Sequence, residues 1–188
     1  QGNTKAREKP RRIARARVPY LVSEHNGHMF PTKKSNPESR RVEQALRHAR
    51  LQDAAAANPR IAGALGWVMA DYATHGDFGS GDQLCHHGVL DQFRCPKPAG
   101  DFYASQRHDP PFGSVASRLA IGEHDGAALR EAWVFTNADE VRVWQNGQLT
   151  GVFKPDSRTF PALPHPPVRV DDFVGSAVEK LPGMGKAD

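Results

Sequence analysis

The chain has 188 residues, of which 38% are hydrophobic and 24% charged, enough for one sizeable core or two small domains of a globular protein. No apolar stretch is long enough to span a bilayer and residues 1–17 lack the apolar core of a secretory signal, so neither a membrane partner nor export is read from the sequence, and the compartment stays open. The net charge of +4 is local: Lys5, Arg7, Lys9, Arg11, Arg12, Arg15 and Arg17 face only Glu8, which leaves −2 for everything after residue 17, and with no aromatic interleaved to stack bases this arm reads as a solvated or partner-covered lead-in with no nucleic-acid partner.

The first predicted element is the apolar run Val18-Pro19-Tyr20-Leu21-Val22, which ends in Ser23-Glu24-His25-Asn26 and a turn at Gly27. It places one carboxylate, Glu24, at the mouth of a strand. Ser35 or Asn36, then Pro37 and Glu38, form a helix start with a capping side chain, an early proline and an acid near the positive end. The helix is expected to run to about Ala57 and to stop at Asn58-Pro59. Val42, Ala45, Leu46 and Leu51 form its apolar stripe, with Arg40, Arg41, Arg47, Arg50, Glu43 and Gln44 on the wet side. The run from Ile61 to Ala70 lacks polar alternation and reads as a strand covered on both faces, with Gly63 and Gly66 allowing close packing or ligand approach. Strand, helix, strand is the crossover unit of a parallel sheet or barrel.

Asp71 to Gly88 reads as a long functional loop rich in Gly, Asp and His, followed by a short helix over 97–106. Cys85 and Cys95 could pair, stay free, or join His75, His86 and His87 around a metal. The spacing is not that of a zinc site, and the adjacent His86 and His87 point to opposite faces of an extended backbone, so no metal is expected. Asp91 and Arg94 suggest an ion pair supporting the loop, and Lys97 marks the start of the helix. From about Val115 the texture changes to short strands over 117–121, 132–136, 141–145 and 149–153, with Asn146-Gly147 as a two-residue hairpin turn and Arg142 and Trp144 on one face. This predicts an antiparallel sandwich of immunoglobulin type in a separate domain. The proline-rich segment 155–167 is expected to be a surface loop.

Three stretches together resemble the C-terminal part of a glycoside hydrolase family 2 enzyme, the family of β-galactosidases, β-glucuronidases and β-mannosidases. Pro19-Tyr20-Leu21-Val22-Ser23-Glu24 is similar to the family's seventh barrel strand with its nucleophile. Gly66-Trp67-Val68-Met69-Ala70-Asp71-Tyr72, with Gly88-Val89-Leu90-Asp91 and Arg94-Cys95-Pro96-Lys97, is similar to the eighth strand and the loop and helix after it. Val134 to Val141 with Asn146-Gly147 is similar to the small sandwich that follows.

The resemblance implies an α/β plus all-β chain: residues 1–106 as the last two strand-helix units of a (β/α)8 TIM barrel, and 107–188 as an immunoglobulin-like β-sandwich with a proline-rich loop. It implies retaining hydrolysis of terminal β-linked sugars by two carboxyl groups, with Glu24 the nucleophile. Ionisation of that carboxylate would be favoured by donors such as His25, Asn26 and His28. Trp67 is the implied sugar platform, since an indole covers the apolar face of a pyranose. Asp77, Asp82 and His87 in the long loop are implied contacts to sugar hydroxyls or a cation. Many β-galactosidases carry an asparagine near sugar and sodium at the position that is His87 here. No cofactor is implied.

The family's acid/base glutamate sits in an Asn-Glu pair, and no such dipeptide occurs in this sequence. Glu43 lies on the outer helix and is not its replacement. A whole barrel takes about 250 residues, so the implied partners are a glycoside or oligosaccharide and the remaining barrel segment of the same enzyme; a homo-oligomer is compatible with this. The alternative expectation is a non-catalytic carbohydrate-binding or structural sandwich module attached to a glycosidase.

Overall fold

The computed structural model describes residues 18–27, 30–74, 83–117 and 131–173. Among these the chain is mixed α/β with mostly strands. Strand β1 (Tyr20–His25), helix α1 (Glu38–Ala56) and strand β2 (Ile61–Gly66) form the first unit. The helix carries the chain back, so β1 and β2 pair in parallel, with Tyr20 opposite Ile61, Val22 opposite Ala64 and His25 opposite Gly66. The ladder is irregular between Val22 and His25. Leu21, Leu65 and Met69 remain exposed; within this chain the second strand is not covered on both faces as its sequence predicts, because only α1 packs on it from nearby in the chain.

Helix α1 starts where the sequence places it, but not by the expected cap. Pro37 is the N-cap and no side chain caps the first turn; Asn36 Oδ1 instead accepts from the Lys33 backbone N–H at 2.7 Å. The buried positions are Val42, Gln44, Ala45, His48 and Ala49. Gln44 therefore lies inside rather than on the wet side. Its amide satisfies three groups there: Nε2 donates to the carbonyls of His87 and Gly88 at 3.1 and 3.2 Å, and Oε1 accepts from Thr32 Oγ1 at 2.6 Å. A buried amide with these partners costs little.

The stretch expected as one long loop contains a short antiparallel pair, β3 (Tyr72–Ala73) with β4 (Leu84–Cys85). Helix α2 (Pro98–Ser105) follows. Ala45 and Ala49 of α1 and Ala99 of α2 are fully buried, and Phe102, Phe135, Phe160 and Leu163 fill the space around them. This core spans both helices, a strand of the later sheet and the proline-rich segment. Each such aromatic side chain contributes roughly 1.5–3 kcal/mol by leaving water.

The remaining strands are β5 (Gly113–Val115), β6 (Ala132–Thr136), β7 (Val141–Gln145), β8 (Gln148–Phe153) and β9 (Val168–Val170). β5, β6 and β9 form an antiparallel sheet in that order, and β7 with β8 a hairpin. Asn146 and Gly147 turn the hairpin with φ of 50° and 79°, as their sequence predicts. Val134, Val168 and Val170 pack against Val141, Val143 and Phe153, so the hairpin closes over the three-stranded sheet. The expected strand at 117–121 lies almost wholly outside the described residues, and β5 and β9 were not anticipated.

The segment 155–167 is not the surface loop its prolines suggest. Phe160 is 2% exposed, Leu163 is in the core and Pro167 is fully buried. The Ala162 N–H donates to Asp53 Oδ1 of α1 at 2.8 Å, and Gln106 Nε2 donates to the His165 carbonyl at 2.7 Å. The prolines stiffen a strap whose apolar residues face the helices.

Candidate active site

Glu24 is exposed and is the penultimate residue of β1. The chain then turns through Asn26, whose φ is 61°, to Gly27. Glu24 Oε1 occupies the space that a Cβ on residue 27 would need, so glycine there leaves the carboxylate room to fold over the turn. At the end of β2 the Trp67 N–H donates to the His25 carbonyl at 2.7 Å, which locks the two strand ends side by side. Trp67 is 36% exposed, and its ring meets that of Tyr72 at 88° with centroids 6.1 Å apart. The neighbouring Cys85 thiol, burial and the negative charge of Glu24 push the Tyr72 phenol above its ordinary value. Glu24, Trp67 and Tyr72 thus gather at the C-terminal ends of adjacent parallel strands.

His25, one residue on, points the other way. It is buried, and its Nε2 lies 2.9 Å from Gln52 Nε2 of α1. An amide nitrogen only donates, so His25 Nε2 accepts and the ring proton sits on Nδ1. Gln52 Nε2 also donates to the Ala64 carbonyl of β2 at 2.9 Å and lies 3.3 Å from the Tyr103 hydroxyl, which in turn meets His48 Nδ1 at 3.0 Å. Burial pulls His25 down to about 4 and pushes Tyr103 up to about 12. Gly66 completes this layer, because a Cβ there would stand 2.7 Å from the Tyr103 hydroxyl and 3.1 Å from each of His25 and His48. The expectation that His25 faces a sugar is therefore replaced: strand alternation at a parallel pair turns it under α1. Gln52, His48 and Tyr103, its partners, carried no signal in the sequence beyond lying on helices.

The loop after Trp67 is anchored by a buried ion pair. Lys97 Nζ donates to Asp71 Oδ1 at 2.7 Å and to the Thr32 carbonyl at 2.8 Å, and Asp71 Oδ1 also accepts from the Gly88 N–H at 2.8 Å. His86 Nδ1 approaches Asp71 Oδ2 at 3.3 Å. Burial holds the Lys97 ammonium below its ordinary value, while Asp71 pulls it back. Lys97 does begin α2, as its sequence position suggests, but its side chain ties together the start of the loop, its return and the segment after β1. Asp71, the second ionic anchor, was missed because its partner is 26 residues away.

The other expected contacts divide. His87 is buried, and it lines a small pocket with Asn26, Phe30, Gln44, Arg47 and His48, so the structure brings Asn26 and His87 together. His28 and Asp77 lie outside the described residues, as do Asp82 and His75. Cys85 is buried and Cys95 exposed, both as free thiols. Asp91 does not pair with Arg94: its Oδ1 accepts from the backbone N–H groups of Phe93 and Cys95 at 2.8 and 2.9 Å, and so it shapes the turn. Glu43 is held by Arg47 and Arg50 on α1.

No family model matches the chain. Over 158 residues it is 42% identical to a β-galactosidase of Thermoanaerobacterium thermosulfurigenes, a match covering 82% of this chain and 22% of that protein. The chain is of glycoside hydrolase family 2 type. It is also 39% identical over 162 residues to a β-galactosidase of Rhizobium meliloti, covering 82% of this chain and 21% of that one. The family 2 chain thus spans about a fifth of the length of the curated relatives it matches. Among solved structures, Bacteroides uniformis β-glucuronidase 2 aligns over 82% of this chain and 19% of its own with a TM-score of 0.60 and 20% identity. Bacteroides uniformis β-glucuronidase 3 aligns over 89% of this chain and 24% of its own with a TM-score of 0.56 and 19% identity. These likenesses concern the fold.

Proposed function

We propose that this chain supplies the nucleophile half of a retaining exo-β-glycosidase of β-galactosidase type, with Glu24 as nucleophile and Trp67 as sugar platform. The observation that carries the reading is the hydrogen bond from Trp67 N–H to the His25 carbonyl, which sets an exposed carboxylate and an accessible indole at the C-terminal ends of neighbouring parallel strands. That is where a barrel enzyme presents its reacting groups. In this reading residues 1–106 are the last two units of a (β/α)8 barrel and 107–188 a buttressing immunoglobulin-like sandwich. The exposed Leu21, Leu65 and Met69 then face the remaining barrel segment, which also carries the acid/base carboxyl group.

A Glu24 oxygen attacks the anomeric carbon as the glycosidic C–O bond breaks, and the leaving oxygen takes its proton from the second carboxyl group. Water then hydrolyses the glycosyl ester, with the second group now acting as base. Asn26 and His87, which share one pocket, are the candidate polar partners of the bound sugar, together with His28 and Asp77. The test is covalent trapping: a 2-deoxy-2-fluoro-β-galactoside with a good leaving group, incubated with the full-length enzyme, should leave its label on the peptide holding Glu24. A label on any other carboxylate would sink the assignment.

A further inference from the structure

We propose that Gln44 of α1 is a positioning residue of this site: its buried carboxamide fixes the bend at which the loop returning from Trp67 meets the turn after Glu24, and so places the His87 ring opposite Asn26 for a sugar hydroxyl. The proposal rests on the reading of Asn26 and His87 as sugar partners given above. Arg40, Gln44, Arg47 and His48 stand at i, i+4, i+7 and i+8 on α1, which is a single face of the helix. That face meets the turn. Gln44, Arg47 and His48 line the small pocket with Asn26, Phe30 and His87. The Arg40 and Arg47 guanidinium carbons stand 4.3 and 3.8 Å from the centre of the Phe30 ring, and Arg40 Nε donates to the Pro31 carbonyl at 2.9 Å. The segment that closes the turn is thus held from the helix.

Gln44 adds the tie to the opposite wall. Its Oε1 accepts from Thr32 Oγ1 at 2.6 Å, and its Nε2 donates to the carbonyls of His87 and Gly88 at 3.1 and 3.2 Å. Carbonyls of consecutive residues point to opposite sides of an extended chain, so two that converge on one amide nitrogen mark a bend in the backbone at His87. The bend is pressed from the far side as well. The Gly88 N–H donates to Asp71 Oδ1 at 2.8 Å, the Val89 N–H donates to the Val68 carbonyl at 2.9 Å, and a Cβ on residue 88 would collide with the Asp71 backbone. A bond from the Thr32 N–H to the His86 carbonyl at 3.0 Å, together with Lys97 Nζ on the carbonyls of Thr32 and His86, joins the two segments at residue 86. Gln44 reaches the two residues beyond and fixes the direction they take. Both Gln44 and Thr32 are buried, so carbonyls deprived of this amide would have to turn away to find another donor.

The experiment measures kcat, KM and the melting midpoint of the full-length enzyme on an aryl β-galactoside for Gln44→Met, Gln44→Glu, His87→Ala and the double variant Gln44→Met/His87→Ala. Gln44→Met keeps the length of the side chain and loses its hydrogen bonds; Gln44→Glu keeps the acceptor for Thr32 and loses the amide donor. Both are expected to raise KM about 3–10-fold, the range of one hydrogen bond to the sugar, with kcat within about threefold. His87→Ala should raise KM at least as much. In its background Gln44→Met should add less than about twofold, because its effect runs through that ring. If His87→Ala raises KM while the folded Gln44 variants change only the melting midpoint, or if the two effects multiply in full, the role of Gln44 is overturned and His87 stands as a sugar partner. An unchanged KM in His87→Ala removes that partner, and this proposal with it. Should a Gln44 variant fail to fold, Thr32→Val, which takes the partner from Oε1 and lets the amide turn, replaces it in the comparison, and Thr32→Ser is expected to restore the parental KM.

Discussion

Glu24 and His25 are consecutive residues of one strand with opposite fates. The carboxylate is exposed and rests over Gly27; the imidazole is buried and hydrogen-bonded to α1 through Gln52. One face of the strand end is open, and the other is a polar layer of His25, Gln52, Tyr103 and His48 lying against β2. The contrast teaches how an exposed carboxylate can sit at a well-ordered strand end. Its neighbour is fastened from below by the hydrogen bond from Gln52, although the His25 Nδ1 finds no partner among the described residues, and the loop beside it is fastened by Asp71 and Lys97.

The largest expected effect breaks the exposed face alone. Glu24→Gln in the full-length enzyme should lower kcat on the order of 10⁴-fold or more, as removal of a nucleophile does. It should leave the melting midpoint within a few degrees, because the side chain is exposed and its fold-stabilising partners are few. A variant that keeps a tenth of the activity would contradict the assignment; one that fails to fold would place Glu24 among the supporting groups instead.

A second effect breaks the support. Lys97→Met leaves Asp71 buried without its cation, a change that costs about 3–5 kcal/mol. Urea unfolding of the full-length enzyme, followed by a probe in this part of the chain, should register that loss. Activity should fall with it, since the loop between Trp67 and Gly88 loses the tie to Thr32 and Asp71. A loss below about 1 kcal/mol would mean that the pair is hydrated and that other contacts hold the loop.

The two faces also differ in how far the sequence revealed them. The strand-end positions of Glu24 and Trp67, helix α1 and the Asn146-Gly147 turn were legible because their signals are local: an apolar run that ends in a charge, a 3.6-residue period, and a dipeptide that tolerates positive φ. Gln44, Lys97 and Asp71 were not, because their roles depend on partners as much as 65 residues away and each side chain, taken alone, reads as surface. His25 was misplaced by a different route. Proximity to Glu24 in sequence suggested proximity in function, whereas alternation along a strand separates neighbours. The strap at 155–167 misled through its prolines, which report stiffness and carry no information about whether Phe160 and Leu163 between them are buried.

The smallest expected effect concerns pH and reads the buried face directly. Burial holds His25 at about 4 in the folded chain, against an ordinary value of 6.5. The unfolded chain therefore binds the extra proton first as pH falls. Stability from the neutral ring is complete above 6.5 and is lost progressively as pH drops through the folded value near 4. His25→Gln retains a polar side chain and cannot titrate, so its melting midpoint should start lower than that of the parent at pH 7.5 and decline less steeply on acidification. Parallel curves would assign the acid lability to other groups, and would imply that the ring beneath Glu24 can take up a proton without disturbing the bond between Gln52 and Ala64. Convergence of the two curves near pH 4.5 would instead show that the face opposite the carboxylate is held by a histidine kept neutral, so that the strand end which presents Glu24 is most secure where both ends of the comparison are in their working states.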